Sequence, residues 1–153
     1  MASADLVIGI GNPLRGDDGI GALVAGQARS LAAGANRGQL RVQVVQQLTP
    51  ERVLDLQRAD RVLFVDACCQ AAAPCLQPLA VAQPGELALG LSHRLEPAQL
   101  LALAALLSGR APAATLLRLP VHALDHGQGL SLQARRQLPQ ARRLLLQWMN
   151  GHA

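Results

Sequence analysis

Few groups in this chain can do chemistry, and three of them stand where an α/β protein places its ligands. Asp17 and Asp18 lie in the stretch Gly9-Ile10-Gly11-Asn12-Pro13-Leu14-Arg15-Gly16-Asp17-Asp18-Gly19-Ile20-Gly21. Asp66 ends the apolar run Val62-Leu63-Phe64-Val65, and His93 sits in the polar segment Leu91-Ser92-His93-Arg94-Leu95-Glu96-Pro97. Two carboxylates and an imidazole form a mixed oxygen and nitrogen donor set with room for further ligands, which suits a borderline transition metal. One of Asp17 and Asp18 can cap the following helix while the other projects into the crevice, because successive residues entering a helix point about 100° apart. The residues alone leave open which does which. Taken singly, either aspartate serves as well as a helix cap, and His93 as a surface histidine. Asp66 is more informative, since it follows four apolar residues at a strand end.

Other reactive groups fit their positions less well. His122 and His126 are spaced like a helical metal pair, but Gly127 and Gly129 make that segment a loop, so they are read as supporting groups. Cys68, Cys69 and Cys75 are odd in number and form no C-x-x-C pair, so they are read as buried or half-buried free thiols. The glycine-rich turn after the first apolar run invites a dinucleotide reading. It fails because Leu14 stands where the third glycine belongs and Gln46-Gln47 where an acidic residue should end the second strand. Asp17 and Asp18 would also repel a pyrophosphate at that helix N-terminus. No nucleotide cofactor is expected.

The elements that must position these groups alternate. Leu6 to Ile10 reads as a buried strand running into the Gly11-Asn12-Pro13 turn, and Ile20, Leu23, Val24 and Leu31 recur close to helical spacing up to the Gly34-to-Gly38 loop. Leu40 to Val45 is a second strand. Thr49-Pro50-Glu51 opens a helix with Thr at the N-cap and Pro at the first helical position, and Arg61 to Asp66 is a third strand. Strands alternating with helices imply parallel pairing through right-handed crossovers. Leu76 to Val81 and Thr115 to Leu119 read as further strands, Pro97 to Leu107 as a helix, and Ser131 to Trp148 as a closing helix that Pro139 should kink or split. The expectation is one α/β domain over residues 1–153, a mostly parallel twisted sheet of about five strands with helices on both faces.

Composition narrows the function. The 153 residues fit one domain, and with Phe64 and Trp148 as the sole aromatics its core must be aliphatic. The net charge of +4 comes from fourteen arginines spread from Arg15 to Arg143, without a lysine. The densest pairs, Arg135-Arg136 and Arg142-Arg143, fall on the closing helix as a solvated face. No aromatic platform interleaves with them, so nucleic acid is not an expected partner. The most apolar run, Leu100 to Leu107, is far shorter than the ~20 residues of a membrane helix. With no export signal in the N-terminal residues, the chain is expected in the cytoplasm, away from membranes and as a monomer.

Read together, these motifs resemble the hydrogenase maturation proteases, endopeptidases that trim the C-terminus of a [NiFe]-hydrogenase large-subunit precursor. The first stretch above is the strongest match. Phe64-Val65-Asp66-Ala67, Ser92-His93-Arg94-Leu95 and Gly127-Gln128-Gly129-Leu130-Ser131 follow in family order. The resemblance implies that the metal-contacting and catalytic residues are Asp18, Asp66 and His93, and that the nickel is supplied by the precursor. Two departures stand out. Some members have Glu where this chain has Asp18, and many carry Asp-Gly-Gly after the second strand, where Gln46-Gln47-Leu48-Thr49-Pro50-Glu51 stands here. The second variant resembles the branch serving soluble, NAD-reducing hydrogenases. The alternative on the same residues is a metal-dependent chaperone that binds the precursor without cutting it.

Overall fold

A computed structural model describes residues 4–34, 39–68, 70–82, 95–124 and 129–151. Five strands form one sheet in the order β2-β1-β3-β5-β4, from β1 (Asp5–Ile10), β2 (Leu40–Val45), β3 (Arg61–Cys68), β4 (Cys75–Leu79) and β5 (Ala113–Pro120). β1, β2, β3 and β5 are parallel, while β4 runs antiparallel along β5 at one edge. The central strands read as continuous apolar runs because both of their faces are covered.

Alternation along the strands sorts the core into two layers. Val7, Leu63, Val65, Leu117 and Leu119 pack under α1 (Ile20–Gly34) and the last helix, Leu132–Met149. Leu6, Ile8, Val62 and Phe64 pack on the other side, under α2 (Val53–Leu56) and α3 (Pro97–Ser108). The last helix is α4. Each fully buried leucine or phenylalanine contributes about 1.5–3 kcal/mol, so the site rests on a stiff aliphatic slab. The start of α1 lies hard against that slab: a Cβ on Gly21 would stand 2.6 Å from the carbonyl oxygens of both Ile10 and Val65.

Several expectations hold and several shift. β2 has the bounds read from sequence. β3 runs two residues past Asp66 to Cys68, and β4 begins at Cys75 and ends at Leu79, two residues short of Val81. Thr49 and Pro50 open a 3-10 turn, Pro50–Arg52, that leads into the four-residue α2. Glu96 and Gln99 form a reciprocal capping box on α3, and Gly109 ends it in the left-handed conformation at φ 78°. α4 continues unsplit through Pro139. Proline there forgoes one amide hydrogen bond, and Ala134, Ala141, Leu145, Trp148 and Met149 anchor the helix on both sides of it.

Candidate functional site at the carboxyl edge of the sheet

The loop after β1 is shaped around Asp18. Gly11 has φ 147°, and a Cβ there would sit 1.9 Å from the Asp18 carbonyl oxygen, so glycine is the residue that fits. Asn12 then makes an Asx-type turn, its side-chain oxygen accepting the Leu14 N–H at 2.9 Å. A 3-10 turn, Gly16–Gly19, carries both aspartates and runs directly into α1.

The two carboxylates have separate tasks, and neither caps α1 as the sequence suggested. Asp17 is fully buried and turns away from the crevice. It accepts four hydrogen bonds: the Ser131 N–H and hydroxyl at 2.7 Å each, and the His122 and Ala123 N–H groups at 2.9 Å each. Its own N–H donates to the Ala123 oxygen at 2.8 Å. Burial opposes ionisation of this carboxyl, but the four donors outweigh it and hold its pKa below the usual range. Asp17 thus ties the β1 turn to the start of α4, where Ser131 is the N-cap.

Asp18 faces a cavity of about 500 Å³. Its Oδ2 accepts the Asn12 N–H at 2.8 Å, which leaves Oδ1 without a hydrogen-bond partner among the described residues. The other walls come from Asn12 and Arg15 in the same turn, Gln46 and Gln47 after β2, and Arg52 before α2. The opposite edge of the sheet differs. There Asp5 is paired with Arg61, whose guanidinium also donates to the Trp148 carbonyl and stacks 4.2 Å from the indole centroid. Charge at the amino edge is engaged in structure, while at the carboxyl edge Asp18 keeps an oxygen open among the described residues.

Asp66 is brought to the same region by strand register. It pairs with Ile10, the last residue of β1, and the 3-10 turn bearing Asp18 packs against β3. By strand alternation it shares a sheet face with Phe64 and Cys68. His93 lies outside the described residues, as do His126 and Cys69. Leu95, two residues after His93, is buried, and its N–H donates to the Leu48 oxygen at 3.2 Å, next to Gln47 of the cavity wall. Among the described residues, no three His, Cys, Asp or Glu side chains converge as a metal-ligand set.

His122 makes a supporting contact, as read from the sequence, and the two described thiols differ in exposure. His122 Nε2 lies 2.6 Å from the Gln137 amide nitrogen, a contact between the β5 exit and α4. Cys75 is exposed, which corrects the expectation of buried or half-buried thiols for that residue, whereas Cys68 is half-buried. Arg118, in register with Asp66 on β5, donates to Cys68 Sγ at 3.0 Å and to Gln77 Oε1 at 3.1 Å. Burial pushes the Cys68 thiol up, but the Arg118 guanidinium and the backbone amides of Gln70 and Ala71 outweigh it and leave the thiol below its ordinary value.

Sequence reasoning had no signal for the Asp17–Ser131 link, which joins residues 114 apart. It also passed over the guanidinium walls of the cavity, although Arg15 lies inside the strongest motif. Among the described residues, no helix is long and apolar enough to cross a membrane.

No sequence-family model and no curated protein matches the chain. Solved structures do match. HycI from Thermococcus kodakarensis KOD1, a [NiFe] hydrogenase maturation protease, aligns with a TM-score of 0.71 at 19% identity, covering 95% of this chain and 91% of that one. The hydrogenase maturating endopeptidase HybD from E. coli gives 0.64 at 22% identity, with 95% and 91% covered. The hydrogenase 2 maturation peptidase from Thaumarchaeota archaeon SCGC_AB-539-E09 gives 0.64 at 23%, with 95% and 97% covered. The chain therefore has the fold of these proteins over nearly its whole length.

Proposed function

We propose that this chain is an endopeptidase that removes the C-terminal extension of a [NiFe]-hydrogenase large-subunit precursor while nickel is held by that precursor. The observation that carries the reading is the half-engaged carboxylate of Asp18 in a cavity at the carboxyl edge of the sheet, on a chain with the fold of hydrogenase maturation proteases. Ligands of parallel α/β sheets bind at this edge. The strand register of Asp66 and the anchoring of Leu95 beside the cavity support Asp66 and His93 as its companions.

In this reading the nickel is part of the substrate and serves as the mark that the precursor is loaded. Asp18, Asp66 and His93 contact it and orient the neighbouring peptide bond, whose carbonyl the ion polarises. A carboxylate accepts the proton of the attacking water. The water oxygen then bonds to the carbonyl carbon, the C–N bond breaks, and the proton passes to the leaving amine. A precursor without nickel offers no docking point and stays uncut.

The test is mass spectrometry of a purified nickel-loaded precursor incubated with the wild type and with Asp18→Ala, Asp66→Ala and His93→Ala. The wild type should release a peptide. Each variant should lose about 100-fold or more in kcat/KM, the scale seen when a group that stabilises reacting charge is removed. Full cleavage by all three variants would refute the site. A precursor that binds the wild type and keeps its full mass would make the chain a chaperone.

A further inference from the structure

Two arginines, Arg15 and Arg52, line the cavity with Asp18 as its one acidic residue among those described. Arg52 is held in place, with Nη1 at 3.3 Å from both Gln43 Oε1 and Asp55 Oδ2, and Asp55 offsets part of its charge. Its Nε is buried with no hydrogen-bond partner among the described residues. Arg15 is exposed, and its guanidinium makes no hydrogen bond or ion pair with a described residue. Gln46 and Gln47 add neutral amides to the same wall.

A cavity serving only to present Asp18 to a cation gains nothing from two arginines, because like charge in one small space repels the ion. The arrangement suits a ligand of mixed charge, with a cation at Asp18 and an anion a short distance away. A guanidinium fork matches the two oxygens of a carboxylate. A phosphate fits less well. Its second charge meets Asp18, and the turn offers no open nest of amides: the Asn12, Asp17 and Asp18 N–H groups donate to Asp18 Oδ2, Ala123 O and Arg15 O. The volume of about 500 Å³ lies within the usual span of ligand sites.

We propose that Arg15 and Arg52 form a carboxylate-binding subsite that reads an acidic group of the substrate peptide beside its metal. This rests on the proteolytic reading above and names what that site selects besides nickel. Two sources have the required chemistry: an Asp or Glu side chain near the cut bond, and the free terminal carboxylate of the extension.

Three pentapeptides separate the sources. Acetyl-Ala-Ala-Glu-Ala-Ala-amide carries a side-chain carboxylate, acetyl-Ala-Ala-Gln-Ala-Ala with a free C-terminus carries a terminal one, and acetyl-Ala-Ala-Gln-Ala-Ala-amide carries neither. Each is titrated to about 10 mM into the 15N-labelled full chain at low salt, following the amide resonances of Gln46, Gln47 and Thr49. At least one acidic peptide should shift them, the neutral peptide should not, and raising ionic strength to about 0.2 M should weaken the effect. Arg15→Gln should weaken binding about tenfold, as expected for one charge-assisted pair. Arg52→Gln should do the same if it folds; Arg15→Gln removes no hydrogen bond or ion pair with a described residue and carries the test regardless. Equal shifts from the neutral peptide, silence from both acidic peptides, or undiminished binding by Arg15→Gln would overturn the subsite. Binding is read here without cleavage, so failure leaves the precursor assay standing, and failure of that assay leaves this one.

Discussion

Removing the Asp17 carboxylate should unfasten the turn that bears Asp18, and the hydrogen bonds set the size of the effect. Four donors converge on this fully buried side chain, three of them backbone N–H groups of His122, Ala123 and Ser131. A hydrogen bond to a charged group contributes about 1.5–3 kcal/mol, so four would nominally sum to about 6–12 kcal/mol. His122 is exposed, and amides freed in that loop regain water, which returns much of the sum. Breaking one side of a buried charged network costs about 3–5 kcal/mol, and Asp17→Ala should cost about 4 kcal/mol. Asp17→Asn keeps one acceptor but turns an NH2 towards donors, and should cost about 2 kcal/mol. For a chain of this length, 4 kcal/mol corresponds to a fall of about 8–16 °C in Tm. The sign of the pH dependence follows from the lowered pKa. The unfolded chain binds the Asp17 proton more readily than the folded one, so stability rises with pH through this group. Its contribution is fully present above the ordinary aspartate pKa of about 3.9 and is lost as pH falls through the lower folded value. Urea unfolding of the wild type and both variants from pH 7 to 3 provides the assay. The gap between wild type and Asp17→Asn should stay flat down to about pH 5 and close under acid conditions. A cost below about 1 kcal/mol for Asp17→Ala, the worth of one ordinary hydrogen bond, or a gap that widens towards low pH, would refute the reasoning.

Two further outcomes follow from local geometry. Gly11→Ala forces a Cβ to within 1.9 Å of the Asp18 carbonyl at φ 147°, which should cost about 3 kcal/mol from overpacking and backbone strain together; denaturant unfolding of the variant measures it, and a cost under about 0.5 kcal/mol, the scatter of neutral surface changes, would contradict the geometry. Cys68 should be alkylated by iodoacetamide near neutral pH faster than its half-burial suggests, and Arg118→Gln should slow it several-fold, as read by peptide mass spectrometry; an unchanged Cys68 rate would remove the guanidinium as the cause of its lowered pKa.

How much of this was legible in the sequence depended on whether the determinant was local. The core strands β1 and β3 were readable because a strand covered on both faces must be apolar along its length, and Leu6 to Ile10 and Val62 to Val65 have that character. The antiparallel β4 was found with shifted ends, since an exposed edge strand such as Cys75–Leu79 lacks an apolar signature and even accommodates Pro78. At Pro139 the local rule weighs one lost amide bond, while buried residues on both sides of the proline keep α4 in one piece.

The division of labour between Asp17 and Asp18 was the hardest point to read, and it shows where sequence information runs out. Side by side, the two residues are chemically identical, and a helical rotation says only that they diverge. What separates them is a pocket of donors from His122, Ala123 and Ser131, which exists only once β5 and α4 are folded against α1. Asp17 is drawn there because four donors can repay the desolvation of its charge. Asp18, one step around the turn, meets one backbone N–H among the described residues and faces an open cavity. The Asp18 oxygen on which the functional reading depends has no hydrogen-bond partner among the described residues, while Asp17 is fully engaged. Asp18 is presented to the crevice because its neighbour holds the turn from behind.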